Sequence, residues 1–342
     1  MQAIAGAPHG GAETFFVRLA AALERSGETQ RVLIRRDAAR AEALRDAGVA
    51  VTELGFGGRF DLMTRRAWRR QIACWRPDIV LTWMNRATQL CPPGDFVHVG
   101  RLGGYYDLKY YRVCDHLIGN TRGIVEHAVT QGWDRGRVHY LPNFVPDPGS
   151  APLPAERAGL ATPPDVPLVL ALGRLHPNKG FDLLLDALAM TPDLHLWLAG
   201  EGPLRHALER QAARLGLAGR VRFLGWRQDV PALLASADLL VCPSRHEPLG
   251  NVVIEAWAAG LPVVATAADG PAGLIADGET GILVPMPTDG DASQLADALE
   301  RLCSDAALRA RLGHNGRRVY EARFTEAAAV ALYRRFLAEV VR

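Results

Sequence analysis

The stretch that most constrains the fold of this chain runs from residue 237 to residue 266. It reads as a short apolar run (ADLLVCPS), a polar loop, an apolar helical segment and a second apolar run (GLPVVAT). Strand, loop, helix and strand in this order form the repeating unit of a parallel sheet, because parallel strands need a crossover connection. The polar loop therefore follows the carboxyl end of a strand and leads into a helix, where open α/β sheets bind phosphorylated ligands.

Two glutamates lie in this stretch, Glu247 in the loop and Glu255 inside the helix. The helix N-terminus, near Leu249, Gly250 and Asn251, offers free backbone N–H groups and the positive end of the helix dipole. Carboxylates accept hydrogen bonds from sugar hydroxyls, and helical spacing turns Glu255 back toward the loop. The pattern favours a site for a phosphorylated sugar, although two solvated surface acids would give the same spacing.

Strand-like and helix-like segments alternate through both halves of the chain, which predicts two Rossmann-like, doubly wound parallel-sheet domains facing a cleft. The length of 342 residues fits two domains, and 49% hydrophobic with 22% charged residues is typical of globular proteins. The segment 147–166 is rich in Pro, Ala and Gly and indicates a linker with a short helix near residues 155–159. We place the domains at residues 1–150 and 151–322, followed by an amphipathic helix at residues 323–342.

Charge is distributed unevenly between the halves. Residues 1–150 carry 20 basic and 15 acidic side chains, whereas residues 151–342 carry 19 and 22. The basic first half suggests an anionic partner, such as phospholipid or a phosphorylated glycan, although an incidental excess explains it equally well. The segment 55–70 places four large apolar side chains among five arginines; it predicts either a membrane-surface helix or an ordinary surface helix whose apolar side faces the sheet. The residues concerned are Phe60, Leu62, Met63, Trp68, Arg59, Arg65, Arg66, Arg69 and Arg70.

The five scattered cysteines form no metal-type pair, which fits a reducing compartment. The sequence shows neither a signal-peptide pattern nor an apolar stretch of the ~20 residues that a membrane span needs. We therefore expect a cytoplasmic protein, with peripheral contact at the inner face of the cytoplasmic membrane as a further option. No feature indicates a nucleic-acid partner.

Two loops of the first half could approach a ligand. Gly10 and Gly11 separate the first strand from a helix and would let the backbone come close to a bound group, although a tight turn also favours glycine. Tyr105 and Tyr106 lie in a glycine-rich loop that we place directly after the strand at residues 95–99. Aromatic faces and hydroxyls suit a carbohydrate, although tyrosines that pack a loop onto its domain would look the same.

The loop at residues 173–180 carries Arg174 and Lys179 at a strand-to-helix turn. Lys179 is one of only two lysines, the other being Lys109. Two cations beside a helix N-terminus can neutralise a diphosphate, although a surface salt bridge would also use them. No Asp-x-Asp motif lies in a suitable loop, so we expect side chains and backbone amides, without a metal ion, to stabilise a leaving diphosphate.

Several motifs in order resemble the retaining glycosyltransferases of family 4, which have the GT-B fold. They are the GRL–KG loop at residues 173–180, GEGP at 200–203, the Glu247–Glu255 spacing, GGAE at 10–13 and PNF at 142–144. The resemblance covers nearly the whole chain. It implies a metal-independent hexosyltransferase that moves a sugar, with retention, from a nucleotide sugar to a glycan or lipid-linked acceptor of the cell envelope, such as lipopolysaccharide core.

The resemblance also implies roles for individual residues. Arg174 and Lys179 would bind the diphosphate, Glu255 the ribose hydroxyls, and Glu247 the donor sugar. The backbone of residues 249–251 would surround the sugar and phosphates, and Gly10 and Gly11 would let the first domain approach the donor phosphate. The closing helix would return to the first domain. The donor, UDP- or GDP-linked, is a substrate, and no cofactor is expected.

The chain departs from the family at one position. The family often has a histidine just after a strand of the first domain, near the donor sugar, where this chain has Arg101. We therefore include Arg101 and His98 with Glu247, Arg174 and Lys179 as catalytic candidates; the loop containing Tyr105 is a further option. Without the histidine, a catalytically inactive nucleotide-sugar-binding subunit is an alternative function, and a sugar-nucleotide epimerase is another.

Overall fold

The computed structural model describes residues 1–7, 10–58, 61–149, 154–155, 157–288 and 290–341. The chain divides into two compact units. Unit 1 comprises Met1–Phe144 together with Glu326–Arg342, and unit 2 comprises Val145–Thr325.

Unit 1 is built on a parallel sheet, which has seven strands within the described residues. The strand order is β3-β2-β1-β4-β5-β6-β7, so the direction of winding reverses between β1 and β4. The strands are β1 (Gln2–Ile4), β2 (Arg31–Arg35), β3 (Ala50–Leu54), β4 (Ile79–Trp83), β5 (Val97–Leu102), β6 (His116–Gly119) and β7 (Val138–Tyr140).

Helices cover this sheet because each presents an apolar face to it. On α1, residues such as Phe15, Phe16 and Leu19 recur at helical spacing and are buried against Ile4 and Trp83 of the sheet. The helices are α1 (Gly11–Arg25), α2 (Ala38–Asp46), α3 (Leu62–Trp75), α4 (Met84–Leu90) and α5 (Arg122–Thr130).

Unit 2 repeats the architecture with a parallel sheet of six strands among the residues described. Its order is β10-β9-β8-β11-β12-β13, so the winding reverses between β8 and β11. The strands are β8 (Leu168–Leu172), β9 (His195–Ala199), β10 (Val221–Gly225), β11 (Leu239–Cys242), β12 (Val263–Thr266) and β13 (Ile282–Val284). The helices are α6 (Phe181–Met190), α7 (Arg205–Arg214), α8 (Val230–Ser236), α9 (Asn251–Ala258), α10 (Asp269–Leu274), α11 (Ser293–Ser304) and α12 (Ala306–Arg323).

The closing helix α13 (Glu326–Val340) belongs to unit 1, although it follows unit 2 in the chain. Its residues Tyr333 and Phe336 are buried in the same cluster as Phe15 and Phe144. Arg25 pairs with Glu326 at 2.7 Å. The polypeptide therefore ends on the unit in which it began. Both sheets and this return confirm the predicted fold class.

Four local predictions were wrong. β5 runs to Leu102 instead of ending at residue 99, because it is paired on both sides, with Trp83↔Arg101 toward β4 and Leu102↔Gly119 toward β6. The helices α4 and α10 were missed, because each is short and follows its strand with almost no loop. The helix predicted near residues 155–159 is a 3₁₀ turn at Ala158–Leu160, within a segment described only in part.

Candidate active site

The loops that follow β8 and β11 meet where the winding of the unit 2 sheet reverses. The backbone N–H groups of Arg245 and His246 both donate to the carbonyl oxygen of Asn178, at 2.8 and 3.1 Å. The side chain of Arg245 also pairs with Asp182, in the first turn of α6, through two contacts of 2.6 and 2.8 Å. Since neighbouring connections leave this point in opposite directions, a crevice opens at the carboxyl ends of β8 and β11.

Lys179 and Glu247 face each other in this crevice. The Lys179 Nζ donates to Glu247 Oε2, and the side chains are 25% and 12% exposed respectively. The other oxygen of Glu247 accepts from the backbone N–H of Gly250, at 3.2 Å. Arg174 is exposed in the same loop as Lys179. The crevice therefore holds cations that can bind an anionic group, and a carboxylate fixed beside them.

The helix α9 supplies the remaining predicted residues of this unit. It begins at Asn251, directly after Gly250. The backbone N–H groups of its first turn therefore point away from the helix, at the end that lies at the crevice. Glu255 is half-buried one turn further along. Leu249, just before Gly250, is buried. Two adjacent loops and the first turns of α9 thus bring together all the site residues predicted in unit 2.

The end of β12 and the start of α10 support the site, and this support was not predicted from the sequence. The N–H of Gly270 donates to the carbonyl oxygen of Glu247 at 2.7 Å. The hydroxyl of Thr266 donates to the carbonyl oxygen of Ser244 at 2.6 Å. Burial raises the pKa of the adjacent Cys242 thiol to about 11, so the thiol stays protonated. The sequence signal for this support was Thr266 with the Asp-Gly-Pro run at residues 269–271, directly after a predicted strand.

Gly180 allows the loops after β8 and β11 to approach each other closely. Its φ is 63°, and a Cβ there would lie 2.0 Å from the carbonyl oxygen of Pro243. Gly216 has a φ of 71°, but no atom of the described residues lies within 4 Å of the place that its Cβ would take. Gly216→Ala should therefore cost only the left-handed backbone strain of about 1–2 kcal/mol. Gly180→Ala should cost about 2 kcal/mol more, because the loops must separate.

The urea midpoint of unfolding measures both glycine variants on equal terms, since they have the same backbone strain. We also expect Gly180→Ala to weaken binding of a nucleotide diphosphate, because Lys179 is the preceding residue. Equal midpoints for the two variants would show that the loops do not need this close approach.

In unit 1, a buried glutamate holds the loop that follows β1. Glu13 accepts a hydrogen bond from the N–H of Ala7 at 2.8 Å, and Arg40 donates to the carbonyl oxygen of Ala7 at 2.6 Å. A Cβ on Gly10 would lie 2.2 Å from Glu13 Oε2. Gly10 and Gly11 therefore lie over a fixed support at the start of α1. The role of Glu13 was missed, although it is the last residue of the GGAE motif.

Arg101 is buried in unit 1 and fully engaged there. Its side chain donates to Tyr333 Oη at 3.0 Å and to Asn143 Oδ1 at 2.5 Å. The guanidinium also lies 4.9 Å from the ring centre of Phe15 and 4.2 Å from that of Trp83. These contacts connect β5, α1 and α13, so the structure gives Arg101 a packing role in addition to the catalytic contact proposed for it.

His98 lies on the opposite face of β5 from Arg101, because side chains alternate along a strand and the two are three residues apart. It is buried near the amino end of the strand, and its Nε2 is 3.0 Å from Thr82 Oγ1. Burial lowers the pKa of His98, which keeps the ring neutral. The structure therefore does not bring His98 and Arg101 to one point.

The two tyrosines predicted to contact the acceptor are half-buried against their own unit. Tyr105 packs edge-on against His127 with ring centres 5.3 Å apart. Tyr106 stacks on Tyr111 with ring centres 6.3 Å apart and an angle of 10° between the planes. Burial raises the pKa of Tyr106. Both rings thus help to pack the loop and remain partly exposed.

Comparison with known proteins agrees with this geometry. Residues 154–319 match the family model described as glycosyl transferases group 1, a range that contains Arg174, Lys179, Glu247 and Glu255. The chain is 38% identical over 339 residues to the lipopolysaccharide core biosynthesis glycosyltransferase LpsE of Rhizobium meliloti, covering 96% of each protein. The chain belongs to the group 1 glycosyltransferases. This glycosyltransferase is also 36% identical to LpsD of the same organism, covering 95% of this chain and 94% of that protein.

Solved structures share the fold of this glycosyltransferase over its whole length. HepE of Anabaena, solved in complex with UDP and glucose, superposes with a TM-score of 0.83 at 23% identity and 99% coverage of both chains. A glycosyltransferase from Rickettsia africae gives a TM-score of 0.88 at 18% identity, covering 100% of this chain and 98% of that one. At these identities the likeness shows the GT-B fold alone.

Proposed function

We propose that this glycosyltransferase moves a hexose from a nucleotide sugar to a glycan of the lipopolysaccharide core or a related cell-envelope polymer, with retention and without a metal ion. The observation that carries the proposal is the crevice where β8 and β11 meet, which holds Lys179 and Glu247 beside the N-terminus of α9. The two relatives named for lipopolysaccharide core biosynthesis support the acceptor class.

Different residues of the crevice bind different parts of the donor. Lys179 and Arg174 bind the diphosphate, since both cations lie in the loop after β8. Glu255 accepts hydrogen bonds from the ribose hydroxyls and Glu247 from the donor sugar. Backbone N–H groups at the start of α9 stabilise the same anionic oxygens.

The reaction breaks the bond between the anomeric carbon and the diphosphate oxygen, which leaves with the electron pair. The acceptor hydroxyl attacks from the same face, and its proton passes to the departing diphosphate. Positive charge develops on the sugar ring, and the carboxylate of Glu247 would stabilise that charge. Lys179 and Arg174 stabilise the negative charge that collects on the diphosphate.

A thermal-shift screen with UDP-, GDP- and ADP-sugars tests the donor class. A matching donor at one hundred times its Kd should add about 2.7 kcal/mol of stability. Sugar transfer from that donor to lipopolysaccharide core then tests the reaction. Binding without transfer to any acceptor would favour an inactive nucleotide-sugar-binding subunit, and interconversion of free donors would favour an epimerase.

The helix α3 supports peripheral membrane contact as a second part of the proposal. Its Trp68 is buried, with its ring centre 5.7 Å from that of Phe56, so most of its apolar side faces the sheet. Leu62 and Met63 in its first turn are 75% and 80% exposed. Arg66, Arg69 and Arg70 are also exposed. The preceding Arg59 and Phe60 lie outside the described residues. Across the described residues, no helix combines the length and hydropathy of a membrane span.

Replacing Leu62 and Met63 together by serine should therefore reduce binding to anionic vesicles. We expect a severalfold loss of co-sedimentation with phosphatidylglycerol-containing vesicles at low salt, because the apolar anchor is removed while the arginines remain. Val113→Ser, at another exposed apolar side chain, is the control. Parent protein that stays in the supernatant would rule out the membrane contact.

A further inference from the structure

A second cavity lies in unit 1, at the end of its sheet opposite to Gly10 and Gly11. It is an open depression of about 570 Å³, within the ~300–1,000 Å³ usual for ligand pockets. Its walls are the segment that leads into β6 and the segment that leads into β7, so it opens at the amino ends of these strands. We call it the Trp133 pocket; its lining includes Asp107, Lys109, Arg112, Gln131, Trp133 and Arg137.

The charges of the Trp133 pocket favour an anion. Asp107 is already engaged: it pairs with Lys109 at 2.5 Å and accepts the N–H of the same residue at 3.0 Å. Arg137 lies 4.0 Å from Asp134, whose other oxygen accepts the N–H of Gly136. Arg112 is exposed and helps Lys109 to lower the pKa of Asp107, but among the residues described it forms no ion pair within 4 Å. An incoming carboxylate or phosphate would therefore meet a guanidinium that can bind it through two hydrogen bonds.

The uncharged side chains of the pocket suit a sugar ring. Trp133 is half-buried and offers a flat apolar face with one N–H donor. The amide of Gln131 can both donate to and accept from hydroxyl groups. Trp133 is positioned by its backbone N–H, which donates to the carbonyl oxygen of Ala128 at the end of α5, at 3.1 Å. Its ring packs partly against the apolar cluster that contains Ala128 and Val138, and it lines the same pocket as Arg112.

We propose that the Trp133 pocket binds an acidic sugar residue of the acceptor glycan, one that carries a carboxylate or phosphate, at a distance from the hydroxyl that reacts. This inference rests on the proposed function, because it takes the acceptor to be an acidic envelope glycan. It adds a recognition site that contributes affinity for the acceptor and leaves the donor site unchanged.

Calorimetric titration with oligogalacturonate, a chain of carboxylate-bearing sugars, tests the proposal. Maltooligosaccharide of the same length is the neutral comparison, and inorganic phosphate tests for a site that binds any anion. We expect oligogalacturonate alone to bind, with affinity falling as salt rises. Arg112→Gln and Trp133→Leu should each weaken it about tenfold or more. Arg135→Gln is the matched control, since Arg135 is exposed in the same segment but pairs with Glu126 at 2.6 Å.

Each other outcome overturns the proposal. Equal binding of the neutral oligomer would show that charge is not recognised, and binding of phosphate alone would show that no sugar is recognised. Unchanged affinity in Arg112→Gln would place any binding elsewhere. A nucleotide-sugar thermal shift on the same samples separates this proposal from the proposed function. Absence of the thermal shift in the parent protein would count against the proposed function. A thermal shift without oligogalacturonate binding would count against the binding proposed for the Trp133 pocket alone.

Discussion

Replacing Lys179 by methionine should lower kcat/KM for the nucleotide sugar by about 10²–10³-fold, the usual loss when one preorganised group that stabilises developing charge is removed. Methionine keeps much of the apolar stem but has no charge. The diphosphate then loses a cation, and the largely buried carboxylate of Glu247 loses the cation that pairs with it. Arg318→Met is the control, because Arg318 is an exposed cation of α12 in the same unit.

A double variant separates these two effects. If Lys179→Met acts only by leaving Glu247 unpaired, then adding Glu247→Gln should restore donor binding to near the parent value. If Lys179 binds the diphosphate itself, the double variant should remain at least as impaired as the single one. Full recovery in the double variant would contradict the role given to Lys179.

Replacing Arg101 by methionine should destabilise unit 1 by about 3 kcal/mol or more. The change removes two contacts with aromatic rings and the two hydrogen bonds that Arg101 donates to Asn143 and Tyr333. We expect unit 1 to unfold at a lower urea concentration, with its unfolding monitored by hydrogen exchange of the β5 amides. Arg122→Met is the matched control, because Arg122 is exposed over Tyr140 at 5.2 Å and should cost less than about 1 kcal/mol.

The same Arg101 variant tests the catalytic role proposed for this position. A residue that acts only in packing should lose stability while the turnover rate, measured well below the unfolding transition, changes little. If turnover instead falls by about two orders of magnitude while donor affinity stays intact, the guanidinium contributes to the reaction itself. Unchanged stability would contradict the packing seen around Arg101.

The sequence predicted the fold well because both sheets are parallel and buried on both faces. Apolar runs such as those of β8 and β11 then stand out from the helical pattern between them. The errors arose where tertiary pairing decides the outcome. β5 continues through Gly100 and Arg101 because strands lie on both sides of it, and no local pattern encodes such pairing.

The site was predicted where its residues lie on loops at the carboxyl ends of neighbouring strands. Lys179 and Glu247 are far apart in sequence, yet they meet because β8 and β11 are adjacent in the sheet. The sequence did not predict the supporting hydrogen bonds made by Glu13 and by the segment from β12 into α10. These bonds involve backbone groups, whose positions depend on the path of a distant segment. The Trp133 pocket was missed for the same reason, because its walls come from two segments that only the folded sheet brings together.

A crystal structure with a nucleotide sugar bound tests the central claim most directly. The account predicts diphosphate oxygens about 3 Å from Lys179 Nζ and from the Arg174 guanidinium, with the ribose beside Glu255. The sugar should lie against Glu247 and the first backbone N–H groups of α9. A donor bound outside the crevice between the β8 and β11 loops, without contact to these four side chains, would contradict it.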